Sequence, residues 1–194
     1  MQTTYISLGC DCSIAYQLSK LNLRTEAYPL DWCSSPHLET IIQLFKTNFE
    51  GFDKFDNYTI KKQSIQNFNT SLETSLFLDS TIKSYNKLLH KQYKIVLPHE
   101  YEGNEIDIKK FETKYFRRIK RLLTLLHSSN NDVIFIRLGN TKEKQKIIEL
   151  ENILQARCKC KFKLLFINYD DYKTSDYNWY RGYIPWKTIL TITA

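Results

Sequence analysis

Apolar and polar positions along the chain fall into blocks whose period switches between that of a strand and that of a helix. Residues 4–8 form a short apolar, partly β-branched run, as expected for a buried strand. Gly9 ends it. Over residues 13–23, Ile14, Leu18 and Leu21 recur at spacings of four and three, which predicts an amphipathic helix. Asp11 or Ser13 is placed to cap it. Pro29 interrupts the pattern, because the residue before a proline disfavours helical geometry. Residues 37–45 predict a second helix, with Ser34 or Ser35 as its cap and Pro36 in its first turn. In residues 46–75, Phe49, Phe52, Phe55 and Tyr58 are scattered without a period, so irregular chain or a hairpin is expected there.

Residues 80–90 predict a short helix, and residues 93–97 a buried strand stopped by Pro98. The longest helix is expected over residues 107–127. Phe111, Tyr115, Ile119, Leu122, Leu123 and Leu126 form its apolar stripe. Residues 132–138, reading Val-Ile-Phe-Ile at their centre, predict another strand, which Gly139 and Asn140 turn into a helix over residues 142–156. Residues 162–168 predict the next strand and residues 188–193 a last one. Strands that alternate with helices pair in parallel, since crossover connections join parallel neighbours. Continuously apolar strands are covered by helices on both faces. The pattern therefore predicts one α/β domain over residues 1–194, a three-layer α/β/α sandwich on a mostly parallel sheet.

That topology gives the strand ends their interest, because ligands of open parallel sheets bind beyond the carboxyl ends of the strands. The predicted ends are Gly9-Cys10-Asp11-Cys12, Pro98-His99-Glu100-Tyr101, Arg137-Leu138-Gly139-Asn140 and Asn168-Tyr169-Asp170-Asp171. A thiol, an imidazole, a guanidinium and several carboxylates are thus expected on one edge. Cys12 stands at the first turn of a helix, where unpaired amides and the helix dipole favour a thiolate. The competing reading is an inert buried cysteine. His99 is either a base or the partner of a loop carbonyl. Asp31, within Tyr28-Pro29-Leu30-Asp31-Trp32, either orients a histidine, as the third member of a triad does, or holds its own turn.

Composition narrows the classes. The 194 residues, 42% hydrophobic and 25% charged, suit a globular protein that needs no disulfides. No apolar run is long enough to span a membrane, and Met1 to Tyr5 lack a secretory pattern. Five cysteines, an odd number, suit a reducing cytosol, or a host cytosol for a viral protein. Net charge +7 permits a polyanion partner, but Lys109, Lys110, Lys114, Arg117, Arg118, Lys120 and Arg121 are expected mostly as a solvated helix face, and nucleic acid is not favoured. Cys10-x-Cys12 and Cys158-x-Cys160 are too closely spaced for typical structural zinc. They would also lie at opposite sheet edges, roughly 15–20 Å apart at about 3.3 Å per residue. No metal and no cofactor is expected. Neither of the glycine-rich phosphate motifs occurs.

The segment Ile6-Ser7-Leu8-Gly9-Cys10-Asp11-Cys12, followed by Ala15-Tyr16-Gln17-Leu18, Leu23-Arg24 and Tyr28-Pro29-Leu30-Asp31-Trp32, resembles a family of papain-like cysteine peptidases. Members open with Ser-Leu-Gly-x-x-Cys and then carry Pro-Phe-Asp-Trp. Later come a His-Asp-Phe element, a helix with Tyr and Arg-Arg, and a Phe-Ile-Arg strand. The counterparts here are His99-Glu100-Tyr101, Tyr115-Phe116-Arg117-Arg118 and Ile134-Phe135-Ile136-Arg137, with Leu30, Glu100 and Tyr101 as departures. The resemblance implies that Cys12, not Cys10, is the nucleophile and that His99 is its base. It also implies, as an alternative fold, a papain-like α+β arrangement with the cysteine on a helix and the histidine on an antiparallel strand.

The function expected is a cysteine-dependent hydrolase acting on a peptide, isopeptide, amide or thioester. Asp31 or Asp170 orients His99, and amides of the first helix hold the oxyanion. Gly9, Asp11, Ser13, Trp32, Glu100, Arg137, Asn140 and Asp170 are the expected substrate-contacting residues. Two rivals use the same features. One is an α/β module that binds an anion, such as a nucleotide or sugar nucleotide, at the first helix N-terminus with Arg137 as counter-charge. The other is a viral or bacterial host-directed interaction protein that uses the basic helix.

Overall fold

The computed structural model describes residues 3–64, 84–101, 105–172 and 179–193. The class is α/β, built on two three-stranded sheets. Strands β1 (Thr3–Ser7), β5 (Asp132–Gly139) and β6 (Lys161–Asn168) form a parallel sheet in the order β1-β5-β6. Its register pairs Ile6 with Phe135 and Phe135 with Leu164. Strands β2 (Tyr58–Ser64), β3 (Ser84–His90) and β4 (Val96–Leu97) form an antiparallel sheet.

The strand period of two divides the parallel sheet into two cores. Ile6, Leu8, Val133 and Phe135 face helices α2 (Leu38–Lys46), α3 (Ile108–Leu126) and α5 (Ile147–Arg157). Tyr5, Ile134, Ile136, Leu138 and Ile167 face α1 (Ser13–Lys20) and α6 (Trp186–Thr193). Helices therefore cover both faces of this sheet, as its apolar strands require. The short α4 (Thr141–Lys144) leads from β5 towards α5.

Several elements differ from the sequence pattern, each for a local reason. Residues 84–90 are a strand where a helix is expected over 80–90, and the first four of that range lie outside the described residues. Pairing with β2 along its whole length makes this segment a strand. Residues 93–97 are extended only at Val96 and Leu97, because a tight turn consumes the rest. His90 Nδ1 accepts the amides of Gln92 and Tyr93, both at 3.2 Å, and Lys94 takes φ +56°. The strand is antiparallel for that reason. Residues 188–193 are helical, with Trp186 and Leu190 buried one turn apart. Within residues 46–75 the chain is extended at β2, but its partner β3 lies beyond that range, and residues 65–75 lie outside the described residues.

One contact joins the two sheets at the functional end. Ser34 and Val96 exchange both backbone hydrogen bonds, at 2.8 and 2.9 Å. Next to it, the Ser35 amide donates to the Cys10 carbonyl at 2.9 Å. The segment 33–35 is thereby laced to the turn after β1 on one side and to β4 on the other.

Candidate active site

Leaving β1, the chain reverses through two residues of positive φ, Gly9 at +76° and Cys10 at +100°. At Gly9 a β-carbon would sit 2.2 Å from Ser35 Oγ, so both conformation and space exclude a side chain. Cys10 carries no such exemption and is held by its surroundings: its amide donates to Ser35 Oγ at 2.9 Å. A non-glycine residue in that region stores strain and persists only where the structure over-determines it. The turn delivers Cys12 to the N-cap of α1, half-buried, with the Tyr16 amide on its carbonyl.

His99 arrives from the other sheet, in the turn that follows β4. Its Nε2 lies 3.5 Å from Cys12 Sγ, within the range of a sulfur hydrogen bond. The Trp32 indole stands edge-on to the imidazole, with ring centroids 6.1 Å apart, and Arg24 lies over that indole at 5.8 Å. Loss of water around the ring lowers the His99 pKa from its ordinary value, although one edge meets solvent. Lys114 pushes in the same direction and Glu100 against it. Glu100 is fixed by Tyr115, whose hydroxyl donates at 2.9 Å, and by an ion pair with Lys114.

The five thiols are not equivalent. Burial, with the Asp11 charge, pushes Cys10 up to about 12, and burial above all takes Cys33 well above a free thiol. Cys33 also donates to the Leu30 carbonyl at 3.3 Å. Cys158 follows α5 and Cys160 precedes β6, at the edge opposite to Cys12. Among the described residues, no group of three or more His, Cys, Asp or Glu is arranged to hold a metal.

Several expected site residues are committed elsewhere. Asp31 is 1% exposed and serves its own loop: Oδ2 accepts from Arg24 Nε and Nη2, at 3.0 and 2.8 Å, and from the Tyr28 amide at 2.9 Å. It holds the Trp32 loop rather than the imidazole. Burial raises its pKa, against the pull of Arg24.

Arg137 corrects the anion-site expectation. It is fully buried, and its guanidinium binds Glu143, the Leu8 carbonyl, Ser35 Oγ and the Ser35 carbonyl at 2.7–3.2 Å. All five donors are used, so none remains for an anion. Its work is to tie β1, the 33–35 segment and α4 together under the Cys12 turn. Ser13 is also buried, giving its amide (2.9 Å) and its hydroxyl to Asp11. Asn140 and Asp170 cap α4. Asn140 accepts the Glu143 amide, and Asp170 accepts the Thr141 amide and hydroxyl at 2.9 and 2.8 Å. Of the expected set, Trp32, Asp11 and Glu100 remain around the Cys12–His99 pair, and Gly9 shapes the turn.

Sequence reasoning missed Ser35, Lys114, Tyr115 as the anchor of Glu100, and Arg181, whose Nε donates to Asp11 Oδ2 at 2.9 Å. Their partners lie 14 to 170 positions away, beyond any local pattern. The basic helix is mostly a solvated face, as expected, with exceptions. Lys114 and Arg121 turn inward to Glu100 and to the Ala27 carbonyl, while Lys109, Lys110, Arg117 and Lys120 are exposed. No helix among the described residues is long and apolar enough to cross a membrane.

No solved structure matches the chain at a significant level. An uncharacterized protein of Acanthamoeba polyphaga mimivirus, R408, is 30% identical over 157 residues, covering 78% of this chain and 70% of the relative. The profile of a family described as "Putative papain-like cysteine peptidase" matches residues 3–172. That span contains β1, the Cys12 turn, both sheets and the His99 turn, and the chain belongs to this family.

Proposed function

We propose that the protein is a cysteine-dependent hydrolase in which Cys12 is the nucleophile and His99 the general acid–base. One observation carries this: a thiol at a helix N-terminus faces an imidazole nitrogen at 3.5 Å. His99 Nε2 takes the Cys12 proton as sulfur attacks an acyl carbon. The same nitrogen returns the proton to the leaving group, and water then cleaves the acyl-enzyme with His99 as base. Of the amides that open α1, that of Ser13 is occupied by Asp11. A peptide or amide substrate suits the family, and Trp32 and Arg24 form one wall of its approach.

The test is covalent labelling by a peptidyl acyloxymethyl ketone. Cys12→Ala abolishes labelling while circular dichroism is unchanged. His99→Ala slows it roughly 10²-fold or more, the usual size of an acid–base contribution. Undiminished labelling of Cys12→Ala removes Cys12 from the mechanism.

A further inference from the structure

The family match ends at residue 172, yet the chain beyond it reaches the site. Gln17 of α1 donates through Nε2 to the Tyr180 carbonyl at 2.6 Å, and Tyr16 meets Trp179 edge-on at 4.9 Å. Between these contacts and the Cys12 turn lies Arg181, only 8% exposed. Its Nε donates to Asp11 Oδ2 at 2.9 Å and its Nη1 to the Tyr183 hydroxyl at 3.1 Å, and the guanidinium lies over the Tyr169 ring at 4.8 Å. Its backbone, at φ +48°, is pinned by Trp186 Nε1 on its carbonyl at 2.8 Å. So many restraints on one side chain mark it as held in place.

Asp11 is the residue before the nucleophile, and its other oxygen binds Ser13 on the far side of Cys12. An uncompensated carboxylate there would oppose formation of a thiolate. The neighbouring Cys10 thiol, raised first by burial, is raised further by Asp11 and lowered by Arg137 and then by Arg181. We propose that Arg181 is a positioning residue of the Cys12 site: it orients Asp11 and cancels its charge, so that the carboxylate can brace the start of α1 without suppressing the nucleophile.

This rests on the reading of Cys12 as nucleophile. The other charged or titratable groups around the turn include Cys10 within it, His99 from beyond β4, Cys33 and the Arg24–Asp31 pair from the loop before α2, Tyr169 and Tyr183 against Arg181, and the Arg137–Glu143 pair beneath. Arg181 is the cation that pairs with Asp11. It therefore decides whether Asp11 acts on the site as a charge or as a neutral brace.

The experiment is the pH dependence of iodoacetamide alkylation in the full chain, with Cys12 followed by peptide mass spectrometry. Arg181→Gln moves the inflection of the Cys12 profile upward and slows alkylation at neutral pH, tenfold for every pH unit that the inflection moves. Arg181→Lys, which keeps the charge, stays near wild type. Adding Asp11→Asn to Arg181→Gln restores the wild-type inflection, because the charge that Arg181 balanced is gone. A merely structural arginine would lose reactivity in Arg181→Gln without moving the inflection, and Asp11→Asn would not rescue it. Either result overturns the proposal. Failure of the dyad itself reads out separately, as a wild-type profile that His99→Ala leaves unchanged.

Discussion

His99 is where the chemistry of single residues can be tested most directly. Its neutral form is favoured by desolvation first, then opposed by Glu100 and reinforced by Lys114. The signs are definite. Removing the Glu100 charge takes away an attraction for the imidazolium and lowers the pKa further. Removing the Lys114 charge takes away a repulsion and raises it. In a Cys12→Ser background, which uncouples the ring from the thiol, the His99 resonances are expected to titrate below 6.5, the ordinary value. Glu100→Gln shifts the midpoint down and Lys114→Met shifts it up. A midpoint above the ordinary value would show that charge and not desolvation governs the ring, and the reverse order of the two variants would show that neither charge acts on it directly. Under the proposed function, a base of depressed pKa stays unprotonated as pH falls, so the acid limb of catalysis would extend below that of a solvated histidine.

At the scale of elements, the site depends on three segments that meet at Arg137. The strand β1 ends on it through Leu8, the 33–35 segment through Ser35, and α4 through Glu143, which also accepts the Leu38 amide that opens α2 at 2.9 Å. Removing one partner of a buried pair leaves the other charge unpaired, a loss of about 3–5 kcal/mol. Arg137→Met is expected to lower stability by that amount in urea unfolding and to weaken Cys12 labelling, since Ser35 also positions Cys10. Arg137→Met combined with Glu143→Met recovers part of the stability, because no isolated charge remains, but not the carbonyl contacts at Leu8 and Ser35. A single-variant loss under about 1 kcal/mol, the size of an exposed pair, would mean that the pair is not holding these elements together.

The same residue shows where sequence reading stops. The pattern places Arg137 at a strand end, and both a saturated buried guanidinium and a ligand-facing one look alike there. Its tertiary partners tell them apart, Ser35 102 positions away and Leu8 129 positions away among them. The elements with strong local periods, β1, α1, α3, β5 and β6, were legible for the converse reason: one face of each must be apolar whatever it packs on. Residues 84–90 were not, because cross-strand neighbours decide a strand that is short and half polar. Cys12 and His99 were legible as residues at strand ends and from the family pattern. Their meeting was expected on one parallel edge, whereas His99 comes from an antiparallel sheet docked through the Ser34–Val96 bridge. The α/β and papain-like expectations each describe half of the site.

For the molecule as a whole, the two faces of the parallel sheet are covered in different ways. One face is covered by α2, α3 and α5, all within the family match. The other is covered by α1 and by the segment after residue 178, through Ile184, Trp186 and Leu190, each at most 4% exposed. Burying such side chains is worth about 1.5–3 kcal/mol each. Their sum is on the order of the entire net stability of a typical domain, about 5–15 kcal/mol. A chain ending at residue 178 would leave Ile14, Leu18, Ile136, Leu138 and Ile167 partly uncovered, and it would lose the Arg181 contact with Asp11. It is therefore expected to bind a dye specific for exposed apolar surface and to unfold at lower urea with a smaller m-value, because less surface is buried to begin with. Arg181→Gln separates the two roles of the segment: it leaves Ile184, Trp186 and Leu190 to cover the sheet and removes the ion pair with Asp11, together with the contacts on Tyr169 and Tyr183. If the shortened chain kept the full m-value and the wild-type alkylation profile, the segment would be an appendage. The apolar contacts of Trp186 and the ion pair of Arg181 argue instead that the same stretch of chain completes the fold and braces the Cys12 turn.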